Sequence, residues 1–154
     1  MGALSNHGGE FFYKLMPTTN AIEVEAFFIE MAEKYNMSGS VVIMDNHRAH
    51  LSRRVKELFQ ELQCQLFFLP VASSNLNPIE TVWSHLKRKW RSRLLEYEVK
   101  LMTHTWMERE LTQILADFNP EELENLARSH YSEVICVLSE AVAHHDSIPD
   151  IFIN

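Results

Sequence analysis

Two acidic residues, Asp45 and Glu80, stand where the sequence pattern suits metal chemistry. Asp45 directly follows a continuous apolar run, VVIM, and Glu80 opens a helical pattern after Asn77-Pro78-Ile79. In open α/β sheets, the carboxyl ends of strands point into the crevice where ligands bind. Carboxylates there can hold Mg²⁺, which prefers oxygen ligands and completes its shell with water and substrate phosphate. Two such ions, roughly 3.5–4 Å apart, can promote phosphodiester cleavage or transfer.

Each of these residues also has a purely structural interpretation. Asn77 and Glu80 fit the two ends of a capping box, and that motif taken alone favours a role in starting the helix. Asp45 and Asn46 also fit a polar strand-to-helix turn. His47 and His50 have a spacing that could bind a metal, although we expect them to orient the loop or contact phosphate. Only the combination of these residues favours a metal-binding role over a structural one.

The elements that must position these residues begin with a hairpin. Residues 1–6 and 10–15 predict two strands around a His7-Gly8-Gly9 turn. Thr19 or Asn20 can cap a helix that runs to about Tyr35. Its predicted apolar face contains Ile22, Phe27, Phe28, Met31 and Ala32.

Two buried strands and their helices follow along the chain. Residues 41–44 predict the first strand, residues 49–62 a helix, and residues 65–69 the second strand, closed by Pro70. This strand, helix, strand order implies parallel pairing with a right-handed crossover. A long amphipathic helix begins at Pro78, and everything beyond Glu96 has a helical pattern, with a clear helix start at Asn119-Pro120.

The charge is unevenly distributed along the chain. The net charge is −7, yet the stretch from Asp45 to Arg93 holds nine basic and four acidic residues. Such asymmetry suggests that one surface meets phosphate while the remainder stays acidic, although solvated helix faces would give the same pattern. Lys87 lies seven residues after Glu80, close to the same helix face, and Arg88 and Arg91 could extend a contact with DNA phosphate.

Composition narrows the class of protein further. The chain has 154 residues, 46% of them hydrophobic, which fits one globular domain. It has neither an apolar run long enough to span a membrane nor a secretory leader pattern, so we expect a nuclear protein in a eukaryote, a cytoplasmic one otherwise, and not a secreted one. Cys64 and Cys136 occur singly in apolar surroundings, which predicts buried free thiols.

The segments around the two acidic residues resemble those of a known family. The stretch VVIMDNHRAH, followed by QLFFLPVASSNLNPIETVWSHLKRKW, resembles the C-terminal half of DDE transposases of the mariner superfamily. The family's DN…H context matches Asp45, Asn46 and His50, and its LNPIE motif ends on Glu80. The 34 residues between Asp45 and Glu80 match the spacing of one large branch of that superfamily. Val71-Ala72-Ser73 departs from the family's usual Pro-Tyr-Ser.

This resemblance implies a fold, a function and a set of partners. The fold is α/β, ribonuclease H-like and N-terminally incomplete: a β-hairpin, then α-β-α-β, then C-terminal helices. We expect residues 1–154 to form one domain, with a core over about 1–95 and a helical tail over about 96–154. The function is metal-dependent DNA cleavage and strand transfer in cut-and-paste transposition. Asp45 and Glu80 would bind Mg²⁺ or Mn²⁺, with two ions in a complete site, while Asn46 and His50 would shape it.

One departure from the family limits what the chain is expected to do. The family's first catalytic Asp lies on a strand upstream of the hairpin, and no Asp precedes Asp45 here. We therefore expect a catalytic fragment that is inactive alone, with DNA as its partner and a homodimer as the assembly of active relatives. Two alternatives remain open: a non-catalytic DNA-binding or oligomerisation remnant, and another nuclease of the same fold.

Overall fold

The computed structural model describes residues 1–5, 10–71, 77–96, 103–125 and, for the backbone, 151–153. These residues contain a five-stranded sheet in the order β2-β1-β5-β3-β4. The strands are β1 (Gly2–Ser5), β2 (Phe11–Tyr13), β3 (Val41–Met44), β4 (Gln65–Phe68) and β5 (Ile151–Ile153). The β1–β2 and β1–β5 pairs are antiparallel, whereas β3 is parallel to both β4 and β5. The fold is therefore mixed α/β.

Four helices with defined ends accompany the sheet: α1 (Ala21–Lys34), α2 (Arg53–Glu61), α3 (Ile79–Leu95) and α4 (His104–Ala116). Residues 120–125 are also helical. The Asn20 side chain caps α1 by accepting from the N–H groups of Ile22 and Glu23 at 3.0 and 3.1 Å. Ser52 and Thr103 cap α2 and α4 in the same way. These helix starts follow the usual preference for a short polar side chain at the cap.

The sheet lies between two hydrophobic clusters. One face of β3 presents Val42 and Met44 to buried residues of α1 and α2, including the neighbouring rings of Phe28 and Phe59 with centroids 4.7 Å apart. The other face presents Val41 and Ile43 to α3, α4 and the helical residues 120–125. All four β3 residues are buried, because side chains alternate across a strand that is covered on both sides. The end of β3 is thus held rigidly.

Most of the expected elements occur, with four corrections. The hairpin strands, the helix capped by Asn20 and the parallel pairing of β3 with β4 are confirmed, and the hairpin turn lies outside the described residues. The helix expected over residues 49–62 begins only at Arg53, because residues 48–51 form turns. Ile22, expected on the apolar face of α1, is 64% exposed.

The third and fourth corrections concern the sheet. The strand over residues 65–68 is only partly buried, because it lies at the edge of the sheet and the end of the strand order. The tail beyond Glu96 is not helical throughout: residues 151–153 form β5, in the middle of the sheet. Local helical periodicity carries no information about such pairing, since the partners of β5 are more than 100 residues away along the chain.

The thiol of Cys64 is free and half buried, and its Sγ atom donates to the Met37 carbonyl at 2.9 Å. Burial raises the pKa of this thiol to about 11, so it is an unreactive packing residue. Cys136 lies outside the described residues. In the part of the chain that is described, no helix is long and apolar enough to span a bilayer.

Candidate metal and DNA site

A cleft of about 430 Å³ brings the two acidic residues together. We call it the carboxylate cleft; its lining includes Asp45, His47, His50, Asn77, Glu80 and Trp83. Asp45 comes from the carboxyl end of β3, and Glu80 from the first turn of α3. Asp45 and Glu80, which have 34 residues between them in the sequence, therefore line the same opening.

Asp45 is held by its own loop. Its Oδ1 atom accepts the backbone N–H of His47 at 3.0 Å and lies 2.8 Å from Nδ1 of His50. An ionised carboxylate only accepts hydrogen bonds, so Nδ1 of His50 carries the shared proton. The His50 ring is buried, whereas the Asp45 side chain remains 50% exposed. One oxygen of Asp45 is thus fixed while the carboxylate keeps access to the cleft.

The environment of His50 favours the neutral imidazole. Burial lowers the pKa of His50, and this effect outweighs the opposing influence of the adjacent Asp45 carboxylate. A neutral ring that donates one hydrogen bond orients a carboxylate without cancelling its charge. His50 is therefore suited to positioning Asp45. His47, whose ring centroid lies 5.6 Å from that of His50, is exposed at the rim.

Asn46 joins the two parallel strands where they end. Its Nδ2 atom donates to the carbonyl of Leu69, the residue that follows β4. The Leu69 N–H in turn donates to the Met44 carbonyl at 2.9 Å. These bonds keep the loop after Asp45 against the end of β4. The contact is structural, and Asn46 is absent from the lining of the cleft.

Glu80 is placed by the packing of α3 and not by a capping box. The helix cap is Pro78, which makes no side-chain capping bond, and Oδ1 of buried Asn77 accepts the Ile79 N–H at 3.3 Å. No hydrogen bond joins the Glu80 carboxylate to another described residue, and Glu80 is exposed. The carboxylate is therefore available to a ligand, in a first helical turn that favours negative charge.

β1 and α3 approach each other closely beside the cleft. A Cβ atom at Gly2 would lie 2.8 Å from ring atoms of both Phe11 and Trp83, so only glycine fits there. Trp83 is partly buried: it packs against the hydrophobic cluster on the α3 side of the sheet and against the ring of Phe11, while also lining the cleft. Its position three residues after Glu80 was a usable signal, because residues three apart share a helix face. Thr19 also lines the cleft, with no sequence signal to mark it.

The three expected DNA-contacting residues are exposed on α3. Lys87 and Arg91 form no ion pair with any other described residue, and Arg88 contacts Nδ1 of His85 at 2.5 Å. At 1.5 Å rise per residue, Lys87 lies about 10 Å along the helix from Glu80, on nearly the same face. Lys89 differs, since it lies 3.6 Å from Glu122 and over the ring of Phe118. Lys89 thus stabilises the packing of α3.

The donor set of the carboxylate cleft fits a hard divalent cation. Asp45 and Glu80 offer carboxylate oxygens, and Mg²⁺ is commonly held by one or two carboxylates together with water and substrate phosphate. Among the described residues, no group of three or more His, Cys, Asp or Glu side chains is arranged to hold a metal. The cleft therefore supplies two candidate ligands, not three.

Comparison with known families identifies the class of the protein. The model of the DDE superfamily endonuclease family matches residues 1–102. This match covers β1 to α3 and both acidic residues, and the chain belongs to that family. Endonuclease domains of this family act on DNA and generally use divalent metal ions. A search of curated proteins finds no match for the chain.

Proposed function

We propose that this chain is the C-terminal part of a mariner-type transposase catalytic domain with a ribonuclease H-like fold, over residues 1–154. The observation that carries the proposal is the carboxylate cleft, in which Asp45 after β3 and Glu80 on α3 line one opening. The 34-residue spacing and the DN…H and LNPIE contexts support the mariner assignment. The parallel β3–β4 pair with a helical connection supports the fold.

In this function, Asp45 and Glu80 hold Mg²⁺ or Mn²⁺, and a complete site holds two ions. Such ions supply charge stabilisation for the attacking and leaving oxygens of a phosphodiester. His50 keeps Asp45 oriented, and Asn46 holds the loop that carries both residues. Lys87, Arg88 and Arg91 lie along α3 beyond Glu80, where they contact the phosphates of the transposon end or target DNA.

Because the cleft contains two carboxylates, we propose that the chain alone does not cleave DNA. The test is a nicking assay on supercoiled DNA with Mg²⁺ or Mn²⁺, using the wild-type chain and Asp45→Ala. We expect no turnover from either protein. If the wild type nicks DNA robustly and Asp45→Ala abolishes the nicking, the proposed inactivity is overturned. The same result would support the proposed metal site. Product analysis would then separate a transposase, which joins DNA ends, from another nuclease.

DNA binding is tested separately from cleavage. Removal of one phosphate contact lowers the slope of log affinity against log salt by about 1, so Lys87→Ala should do so on any DNA sequence. Arg53→Ala is the matched control, because Arg53 is an exposed basic residue on α2 that pairs with Glu57 at 2.7 Å. Equal effects of the two substitutions would contradict a binding face on α3.

The second candidate function is a non-catalytic DNA-binding protein. It is favoured by Lys87 and Arg91, which are exposed and form no ion pair with another described residue, beside a cleft with two carboxylates. Salt-dependent DNA binding that is unaffected by Asp45→Asn and by divalent ions would favour this function over the first. A homodimer, as in active relatives, would be detected by light scattering with and without DNA.

A further inference from the structure

Strand β4 forms one edge of the sheet. Among the described residues its one neighbour is β3, which it meets in a continuous parallel register from Val41–Gln65 to Met44–Phe68. In the part of the chain that the structure describes, the other side of β4 is therefore an open strand edge. An open edge can pair with a further strand, because its outward backbone N–H and C=O groups have no partner in the sheet.

The bonds to β3 show which residues of β4 face outwards. The N–H groups of Gln65 and Leu69 donate to carbonyls of the residue before β3 and of its last residue, each at 2.9 Å. Backbone groups alternate in direction along a strand, so Phe67, midway between these two residues, also faces β3. Leu66 and Phe68 therefore direct their N–H and C=O groups to the open edge.

The sequence of β4 does not block pairing at this edge. Native proteins usually protect an exposed strand edge with a charged residue, a proline or a bulge. The strand is Gln-Leu-Phe-Phe, its register with β3 has no bulge, and residues 62–79 include no charged side chain. An unprotected apolar edge of this kind indicates a surface that binds another chain.

A groove of about 260 Å³ lies beside the outward-facing residues. We call it the edge groove; it is lined by Lys56, Phe59, Gln60, Cys64, Leu66 and Phe68. Phe59 is buried, whereas Leu66 and Phe68 are only partly covered. Because side chains alternate across a strand, a strand added to β4 would place every second side chain on the face of the groove. The edge groove can therefore take an apolar side chain from the added strand.

The charge of the edge groove indicates what kind of segment fits it. Lys56 is the one charged residue among the described residues that line it, and its Nζ atom lies 6.0 Å from the centre of the Phe68 ring. Lys56 is exposed, and its charge is not paired with another described residue, whereas Arg53 and Arg54 on the same helix each pair with a glutamate. An acidic side chain two residues from the apolar one would lie on the same face of the added strand, on the side of Lys56.

We propose that the edge of β4 is a docking surface for an extended peptide segment of a partner protein, with an apolar and an acidic residue two positions apart. The segment adds a strand to the sheet by bonding to the N–H and C=O groups of Leu66 and Phe68, and its apolar side chain fills the edge groove. Its acidic residue pairs with Lys56. A second copy of this chain fits less well, because it would bring a second Lys56 to the same edge.

The edge groove shares no lining residue with the carboxylate cleft, so this inference does not rest on the proposed function. The first test is a phage-displayed library of random eight-residue peptides, selected on the wild-type chain and counter-selected on Leu66→Pro. This substitution removes an outward N–H group but no bond to β3, and proline is tolerated at such edge positions. We expect enriched peptides with an acidic residue two positions from an apolar one. No enrichment, or peptides that bind Leu66→Pro equally well, would overturn the inference.

Leu66→Ala is the matched control, because it shortens the same side chain and keeps the N–H group. Affinity for a selected peptide is measured by fluorescence anisotropy, and circular dichroism verifies that both variants are folded. We expect Leu66→Pro to bind about tenfold more weakly than Leu66→Ala, since a carbonyl of the peptide loses its donor. Equal affinities would show that the peptide does not extend the sheet.

Hydrogen exchange in the wild-type chain tests the same point without a substitution. The bound peptide should slow exchange at the N–H groups of Leu66 and Phe68, with which it forms new bonds. The N–H groups of Gln65 and Leu69 are internal controls and should change less, because they are already bonded to the β3 side. Protection at other elements, without protection at Leu66 and Phe68, would contradict binding at the β4 edge.

The preference for an acidic partner is tested by exchanging charges. Lys56→Glu should weaken binding of the selected peptide about fivefold, and replacing the acidic residue of the peptide with lysine should restore it. Arg48→Glu makes the same change in net charge at an exposed residue that does not line the edge groove, so it should have little effect. Equal losses from both variants would overturn the proposed acidic partner.

Light scattering of the wild-type chain at increasing concentration tests the alternative occupant. We expect no self-association through β4. Association that Leu66→Pro abolishes and Leu66→Ala retains would assign the edge to a second copy of the chain and overturn the peptide as its partner.

Discussion

Asp45 and Glu80 line the same cleft but are held in opposite ways. Asp45 follows a fully buried strand, and one of its oxygens is fixed by His47 and His50. Glu80 stands on the first turn of α3, exposed and without a hydrogen bond to any other described residue. The fold therefore fixes the orientation of the Asp45 carboxylate. The Glu80 carboxylate is left to be ordered by a bound ligand. Substitutions on the two sides of the cleft should have different consequences.

The largest expected effect is the loss of cation binding in Asp45→Asn. Removal of the oriented carboxylate should weaken Mn²⁺ binding about 100-fold, since loss of an outer partner alone costs 10–100-fold. Glu80→Gln should weaken it only about tenfold, because a mobile side chain gives up more entropy on binding. Titration of both variants with Mn²⁺, in competition with Mg²⁺, measures the difference. Equal losses of Mn²⁺ affinity in the two variants would contradict the difference between a fixed Asp45 and a mobile Glu80.

The next effect is on stability, at the residue that orients Asp45. His50→Ala should lower the free energy of unfolding by about 2 kcal/mol, because it empties a buried site and removes the hydrogen bond to Asp45. His47→Ala should change it by less than about 0.5 kcal/mol, since the ring is exposed and only the backbone of His47 holds Asp45. Urea denaturation gives both values. Similar losses would show that His50 is not the main support.

A smaller effect is expected at the joint between β3 and β4. Asn46→Ala removes the bond to the Leu69 carbonyl and should cost about 1 kcal/mol of unfolding free energy. Asn36→Ala is the control, because Oδ1 of the exposed Asn36 accepts the Ser38 N–H at 3.3 Å in a short local contact. We expect the control to cost less than about 0.5 kcal/mol. If Asn46→Ala left the free energy of unfolding unchanged, Asn46 would not be a support of the site.

The smallest effect should be that of Glu80→Gln on stability, within about 0.5 kcal/mol of the wild type. Glu80 makes no capping bond to another described residue, so we expect the loss of only a weak interaction with the helix dipole. Thr103→Ala on α4 shows what loss of a real cap costs, about 1 kcal/mol, since Oγ1 of Thr103 accepts the Trp106 N–H at 3.2 Å. A comparable loss in Glu80→Gln would mean that Glu80 is mainly a structural residue.

The side of the cleft that carries Asp45 was predictable from the sequence, because the patterns that indicate it are local. The run VVIM before Asp45 indicated a buried strand, and Pro70 and the apolar residues before it indicated the parallel partner. The spacing of Asp45 and His50 placed both residues in one short loop. The hydrogen bond between them needs no information from distant parts of the chain.

The structure around Glu80 depends on contacts between residues that are distant in sequence, and the predictions for it were less accurate. Asn77 and Glu80 fit a capping box in sequence, yet the cap of α3 is Pro78, and Trp83 on this helix packs against Phe11 and lies close to Gly2. Strand β5 was missed, because three apolar residues after a long helical pattern do not identify their partners. Both errors come from tertiary contacts that override local patterns.

The central place of β5 also determines the order in which the sheet can assemble. The hairpin β1–β2 and the pair β3–β4 can each form from residues that are close in sequence, but β1 and β3 share no ladder. In the sheet they are joined through β5, which pairs with Leu4 of β1 and Val41 of β3, and both pairings are of very long range. Contacts of this kind slow folding. Until the residues of β5 have been synthesised, the facing edges of β1 and β3 lack the strand that pairs with both of them in the folded chain.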